Sequence, residues 1–196
     1  MPFKKAFIFP ALLSISVLSG CAAVAVGTAA TTGVAVVHDR RTTGTIIEDQ
    51  TIELKALKTL YGIDKIRINT HVNATSYNNI LLLTGEAPTE SLRNDISNRL
   101  RQISKVRKVH NEILVAAPSS LVSRSSDGLI TSKAKFALFK LNSIKGFDPT
   151  RVKIVSENGV VYLLGLLKQN EIAPVVDTIR RVGGVQRVVK LFEIIG

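Results

Sequence analysis

Cys21 is the only thiol in the 196-residue chain, and its position limits what it can do. With no second cysteine, an internal disulfide is excluded. Ser19 and Gly20 precede it directly, and small residues there let a peptidase pocket admit the backbone. Upstream, Lys4 and Lys5 form a basic n-region, and Ala6 to Leu18 is an apolar stretch of 13 residues. That length suits the h-region of a secretory signal and falls short of the ~20 residues a spanning helix needs. The expectation is a removable signal over residues 1–20, with Cys21 opening the mature chain. The alternatives are a plain signal peptide that leaves a free thiol, or a short anchor helix.

A second group of residues is spaced for work at a surface. At 100° per residue along a helix over residues 127–143, Ile130, Ala134, Ala137, Leu138 and Leu141 share one arc. That arc is the face a domain helix buries. Leu129, Lys133, Phe136 and Lys140 fall on a second, narrow arc, with Phe139 at its margin. One apolar stripe is enough to fold a helix onto a domain. A second stripe interleaved with lysines suits a lipid interface, where rings enter the acyl boundary and ammonium groups meet phosphates. Each such Lys contributes about 1 kcal/mol near an anionic surface. The alternative is that the phenylalanines pack against the first repeat or another protein chain.

Other reactive residue types do not assemble in the sequence. His38, His71 and His110 are scattered, and no pair has metal-ligand spacing, so no metal site is expected. Ser119, Ser120, Ser123, Ser125 and Ser126 lie outside any Gly-x-Ser-x-Gly elbow. Gly183-Gly184 reads as a helix C-cap and not as a phosphate loop. Glu86 and Glu90 are separated by Pro88, and nothing marks a cleft beside them. Arg99, Arg101, Lys105, Arg107 and Lys108 read as a solvated helix end. No catalytic residue is assigned, and the chain is not expected to be an enzyme.

The elements that position these residues come in two copies. Ile80-Leu81-Leu82-Leu83-Thr84-Gly85 parallels Val160-Val161-Tyr162-Leu163-Leu164-Gly165. Val106-x-x-Val109 parallels Val185-x-x-Val188, and Asp49 with Lys55-Ala56 parallels Asp127 with Lys133-Ala134. Each copy reads helix, strand, strand, helix, strand. In the first, a strand is expected over Ile66 to Val72, with a long polar turn over Asn73 to Asn79 and a helix capped by Thr89. In the second, Asp127 is expected to cap a helix ending near Ser143 or Ile144. Val152, Ile154 and Ser156 alternate as a half-buried strand, and Asn158-Gly159 marks a hairpin turn. Asn170 is expected to cap the next helix, with Pro174 in its first turn. Two helices on one face of a three-stranded sheet bury both apolar stripes. The copies span 45–116 and 127–196. Ala117 to Ser126 has linker composition, with Pro118 and five serines. Residues 22–38 are small and apolar, and read as a tether in preference to a second membrane segment.

Charge narrows the partner. The chain carries a formal +11, which falls to +9 without Lys4 and Lys5. Residues 127–196 hold 11 Lys and Arg against 6 Asp and Glu, a net of +5, whereas residues 45–116 hold 10 against 8. The second copy is therefore the one that favours anionic partners. A periplasmic address argues against nucleic acid.

Two resemblances add to this reading. Leu18-Ser19-Gly20-Cys21 resembles the lipobox of bacterial lipoproteins. That implies a diacylglyceryl thioether on Cys21 and a further acyl chain, of the palmitate class, on its amine. Ala22 and Ala23, in place of an aspartate, imply transfer to the outer membrane. The αββαβ repeat, the Leu-x-Gly after each second strand and the Val-x-x-Val entry to each last strand resemble the BON domain. Asp39-Arg40-Arg41-Thr42-Thr43-Gly44-Thr45, Ile66-Arg67-Ile68-Asn69, Tyr77, Asn111-Glu112-Ile113, Ile130-Thr131 with Lys133, and Glu157-Asn158-Gly159 carry the same resemblance.

The resemblance implies an α+β fold of two tandem BON domains, each αββαβ with two helices packed on one face of a three-stranded mixed sheet. The implied order is a signal peptide (1–20), a lipidated tether (21–44), BON domain 1 (45–116), a linker (117–126) and BON domain 2 (127–196). It implies a non-enzymatic protein without cofactor or metal on the periplasmic face of the outer membrane. Such a protein binds anionic phospholipids (phosphatidylglycerol, cardiolipin), supports envelope integrity and division-site function, and is linked to outer-membrane assembly machinery. The first helix of the second domain carries lipid binding in that family, which points here to Leu129, Lys133, Phe136, Phe139 and Lys140. Leu129 departs from a Trp at that place, a stronger interfacial anchor. A scaffold for outer-membrane assembly or cell-wall remodelling machinery is the alternative role.

Overall fold

A computed structural model of the chain describes residues 39–141 and 144–196, apart from the side chains of Leu121 and Val122. The expected signal peptide and the tether as far as residue 38 lie outside the described residues. The first unit runs α1 (Thr43–Gly62), α2 (Asp64–Asn69), β1 (His71–Tyr77), β2 (Ile80–Ala87), α3 (Glu90–Arg101), β3 (Lys108–Asn111) and β4 (Leu114–Val115). The second runs α4 (Leu121–Phe139), a 3-10 turn (Pro149–Arg151), β5 (Lys153–Glu157), β6 (Val160–Leu167), α5 (Gln169–Arg180) and β7 (Arg187–Ile194). In each unit the first two strands form an antiparallel hairpin, and the last strand adds parallel to the middle one. This is the expected α+β tandem; the second unit is αββαβ on a three-stranded sheet, and the first adds the short helix α2 and a fourth strand, β4, paired with β2.

Two dipeptides set the hairpins. Asn78 and Asn79 have φ of 51° and 62°, and Asn158 and Gly159 have 50° and 73°. Both pairs adopt the positive-φ geometry of a two-residue turn that matches strand twist. The extended polar turn expected over Asn73 to Asn79 is thereby corrected to Asn78-Asn79 alone. Asn73 to Tyr77 are strand. Ile66 to Asn69 are helical, because Ile66 and Leu60 enter the core while Ile68 stays exposed.

A buried carboxylate from the first helix holds each turn. Asp49 Oδ1 accepts from Asn79 N at 2.8 Å and Ser76 Oγ at 2.6 Å. Its Oδ2 accepts from Asn78 N at 2.8 Å and Arg41 Nη1 at 2.8 Å. Asp127 repeats the arrangement, accepting from Asn158 N at 2.8 Å and Gly159 N at 2.9 Å. Asp127 is therefore a mid-helix residue aimed inward, not the expected N-cap. The cap is Ser120, whose Oγ accepts from Ser123 N, so α4 begins inside the stretch read as linker. The serines there are cap and first-turn residues, in line with the preference of Ser for such positions. At its other end α4 stops at Phe139, short of Ser143.

The remaining helix starts follow the same logic. Thr89 caps α3 as expected, accepting from Leu92 N at 3.2 Å. In α5 the cap position is Lys168, not Asn170, and Glu171 reaches back to Lys168 N at 2.7 Å. Pro174 accordingly lies in the second turn and not the first.

The glycine that closes each Leu-x-Gly has a steric cause. Gly85 sits at φ +107°, and a Cβ there would lie 1.9 Å from His71 O. A Cβ on Gly165 would lie 2.7 Å from Arg151 O. At Gly85 the paired strand, and at Gly165 the 3-10 turn before β5, approach too closely for any side chain.

The two long helices of each unit cover one face of its sheet. Ile52, Ala56, Leu60, Leu92, Ile96 and Leu100 pack on Leu81 and Leu83 in the first. Ile130, Ala134, Leu138, Val175, Val176 and Ile179 pack on Val161 and Leu163 in the second. The opposite faces meet each other. Tyr77, Leu82, Tyr162 and Leu164 form a third cluster between the sheets, where burial pushes the Tyr162 hydroxyl up to about 12. Every residue of β2 is buried as a result. Around this apolar centre run polar links between the units: Lys153 to Glu53 at 2.7 Å, Arg107 to Glu193 at 2.9 Å, and Asn78 to Glu193 at 2.6 Å.

The segment before α1 is part of this seam. Arg40 crosses to the second unit and meets Glu171 with both nitrogens, at 2.6 and 2.7 Å, and Leu166 O at 2.8 Å. Arg41 lies 3.9 Å over the Tyr77 ring, pairs with Asp39, and braces Asp49. Thr42 caps α1. The tether expected to run to residue 44 is thus fixed structure from Asp39 onward.

Two outcomes follow. Asp49→Ala strands four donors at one turn, and charged hydrogen bonds contribute about 1.5–3 kcal/mol. The variant should lose roughly 3 kcal/mol, seen as a lower urea midpoint at unchanged slope, with Asp127→Ala losing less. For Glu171, burial acts to raise the carboxyl, but the Arg40 guanidinium and Lys168 N–H outweigh it and hold it below the usual range. A depressed carboxylate stabilises above its unfolded value of 4.5 and ceases to do so as pH falls through its folded value. The stability gap between wild type and Arg40→Ala should therefore be fully open above about pH 5 and narrow on acidification, which urea titrations at a series of pH values will read.

Candidate functional site

Helix α4 has a filled side and a bare side. Ile130, Ala134 and Leu138 are buried against the sheet, with Leu141 packed at the margin. On the opposite side Leu129, Phe136 and Phe139 are 62, 69 and 60% exposed. Lys133, Lys135 and Lys140 are exposed among them. The inner arc read from helical spacing is the buried one, and the outer arc is open. Neither the first unit nor the rest of the second covers the phenylalanines.

The electrostatics of this ridge are one-sided. Residues 121–145 contain Arg124, Lys133, Lys135, Lys140 and Lys145 against Asp127 alone. Asp127 spends its charge on the buried turn. Among the described residues, Lys133, Lys135 and Lys140 have no carboxylate within ion-pair distance. A shallow cleft beside Phe139, lined by Arg41, Lys135 and Lys153, extends the basic surface toward the seam. Such a surface can accept an anionic headgroup layer while the rings enter the apolar zone beneath. No helix among the described residues is long and apolar enough to cross a membrane. Cys21, the expected lipidation site, lies outside the described residues.

Sequence reasoning missed two groupings. The first is a stripe on α1, where Ile47, Leu54, Leu57 and Tyr61 are all more than half exposed. Their spacing of seven, three and four residues could have revealed it. The second is a polar cluster in the seam. His71 was read as isolated, yet its Nδ1 stands 3.3 Å from Glu86 Oε2 and 3.9 Å from Glu157 Oε1. Glu86, read as lying beside no cleft, is buried and accepts from Asn158 Nδ2 and from Ser119 N at 3.2 Å. Burial holds Glu157 above the ordinary carboxylate range, whereas for Glu86 the donors Asn158 and Ser119 and the nearby His71 overcome burial and hold it below. Separations of 15 and 71 residues hide this cluster from any motif. The basic residues Arg99, Arg101, Lys105, Arg107 and Lys108 are all exposed, as expected, and three of them carry surface ion pairs. Arg99 pairs with Asp95, Lys105 with Glu48 and Arg107 with Glu193.

Comparison with known proteins gives consistent matches. The BON domain matches twice, over residues 50–117 and 126–196. The Outer membrane lipoprotein DolP of Haemophilus influenzae (strain ATCC 51907 / DSM 11121 / KW20 / Rd) is 34% identical over 193 residues, covering 98% of this chain and 96% of that protein. The 21 kDa hemolysin of Actinobacillus pleuropneumoniae is 29% identical over 155 residues, covering 79% of this chain and 78% of that protein. Among solved structures, CdsD, a structural protein of the type III secretion system of Chlamydia trachomatis, aligns over 75% of this chain and 63% of its own at 14% identity, with a TM-score of 0.30.

Proposed function

This chain belongs to the BON-domain family, as a tandem pair, and on that premise we propose that it is an outer-membrane lipoprotein that grips anionic phospholipid through α4. The anchor is an acylated Cys21, and the folded body stands on the periplasmic face. The relative named an outer membrane lipoprotein aligns along nearly the whole chain, which supports this address. Neither relative's name describes an enzyme, and the reading is of a binding module without cofactor.

One observation carries the lipid reading: Phe136 and Leu129 are exposed on a helix whose uncovered cations have no acidic partners. Phe136 and Phe139 supply apolar insertion, and Lys133 and Lys140 meet phosphates. Leu129 gives a smaller interfacial anchor than a Trp would. Through this grip, and by its resemblance to the dual-BON lipoproteins, the protein supports envelope integrity and division-site function.

A second reading rests on α1. Its stripe of Ile47, Leu54, Leu57 and Tyr61 is as exposed as that of α4, but its flanks carry Glu48 and Glu53 as well as Lys55 and Lys58. A mixed-charge apolar stripe fits a protein partner, such as outer-membrane assembly or cell-wall remodelling machinery, better than a lipid surface.

Vesicle flotation separates the two readings. The soluble fragment 22–196 should float with phosphatidylglycerol or cardiolipin vesicles and not with neutral ones. Phe136→Ala with Lys133→Gln and Lys140→Gln should weaken binding by 30-fold or more, from about 1 kcal/mol per lysine plus the lost ring. Because all three side chains are exposed, stability should change by only about 0.5 kcal/mol per site. Undiminished flotation of the triple variant, or loss of flotation on Leu54→Ala and Tyr61→Ala instead, would remove α4 as the site.

A further inference from the structure

We propose that His71, Glu86 and Glu157 form a binding site for a divalent transition metal of the zinc type, which clamps the two units together. His71 and Glu86 come from neighbouring strands of the first sheet, β1 and β2, and are directly paired across the hairpin. Glu157 ends β5 of the second sheet. Strand alternation points all three into the seam. One donor atom from each lies within 4.8 Å of the others. The His71 Nδ1 to Glu86 Oε2 and Glu157 Oε1 distances are 3.3 and 3.9 Å. Zinc holds nitrogen and oxygen donors at about 2.0–2.2 Å in a tetrahedron, which spaces the donors about 3.4 Å apart. Small side-chain rotations close the observed triangle to that size.

The atoms around the triangle are arranged as outer-shell partners would be. Glu157 Oε2 is occupied, accepting from Asn73 Nδ2 and Thr84 Oγ1 at 3.2 Å each. Glu86 Oε1 is occupied by Asn158 Nδ2. The second oxygen of each carboxylate faces the imidazole, that of Glu86 while also accepting from Ser119 N at 3.2 Å. Glu157 Oε1 has no hydrogen-bond donor among the described residues, although its side chain is only 7% exposed. That oxygen is not sealed from solvent: Glu157 borders the adjoining cleft, from which a cation can reach it.

Among the described residues no Lys or Arg pairs with either glutamate, and the side chain at ion-pair distance from both is His71. Arg124 lines the adjoining cleft but is tied to Ser119 O at 2.8 Å and pairs with neither glutamate. The same cleft, lined by His71, Asn73, Thr131 and Glu157, leaves a way in for an ion and room for a water as fourth ligand. A donor set of one imidazole and two carboxylates favours zinc, cobalt or nickel over calcium and magnesium, which prefer oxygen alone. Because the ligands come from both units, the bound ion adds a bond across the seam that the fold does not otherwise contain.

The test uses the full chain stripped with chelator. Titration with zinc chloride should show one ion bound per chain, and melting should shift up by roughly 5–10 °C at a hundredfold excess over Kd. Cobalt(II) in place of zinc should give the intense visible absorption of a four- or five-coordinate ion. Glu157→Gln and His71→Ala should each weaken binding at least a hundredfold, while His110→Ala should leave it unchanged. A wild-type cobalt spectrum equal to that of the free aquo ion would overturn the proposal without reference to any variant. So would zinc binding that survives in the His71→Ala, Glu157→Gln double variant.

Discussion

A carboxylate buried beneath a hairpin is the constraint on which each unit turns. Asp49 and Asp127 reach from the first helix to the two backbone N–H groups of the Asn78-Asn79 and Asn158-Gly159 turns. The positive φ of those residues directs both N–H groups to the helix side. The contact therefore fixes the helix along the hairpin and the hairpin in its pleat phase. A slip of one residue would exchange the two faces of the strand. With the phase set, Leu81 and Leu83 meet the helices while Leu82 and Thr84 meet the other sheet. The helix-covered cores and the seam between the sheets are both consequences of that phase.

Much of this was legible beforehand, because repeats, turns and amphipathic arcs are local. Asn158-Gly159 announces its turn through residue type alone. Ile130, Ala134 and Leu138 announce the buried arc of α4 through spacing, and the bare arc with Phe136 follows by subtraction. The misreadings came where tertiary contacts overrode local preference. Asp127 looks like a cap because Asp is a good one, but the acceptor it offers is used 31 residues away. Ser120 was overlooked because a serine-rich stretch after a proline has the composition of a linker. Ile66 and Ile68 alternate as a strand would, yet burial selects only Ile66. The seam cluster was invisible for a simpler reason: His71, Glu86 and Glu157 become neighbours only once two sheets from different repeats are stacked.

Stacking the sheets also decides which helix surfaces remain for recognition. Each sheet is covered on one face by helices and on the other by its partner sheet, and of the helices' outward sides those of α1 and α4 carry the clusters of large exposed apolar side chains. Duplication has not kept them alike. The α4 side has kept its lysines free of acidic partners, whereas Glu53 on α1 is engaged with Lys153 across the seam. One ancestral architecture thus presents a cationic greasy ridge and a mixed-charge greasy ridge, two surfaces suited to different occupants.

The clamp at Arg40 bears on how force from the N-terminal side would enter the folded body. Arg40 reaches the second unit at Glu171 and Arg41 braces Asp49 of the first, so both units hold the chain before α1 begins. On the proposed acylation of Cys21, 18 peptide steps lead from the anchor to Asp39, a contour of at most roughly 60 Å. Arg40 grips Glu171, at the start of α5 in the same unit as the cationic ridge. A pull entering from the N-terminal side would therefore be delivered to that unit as well as to the one the chain enters.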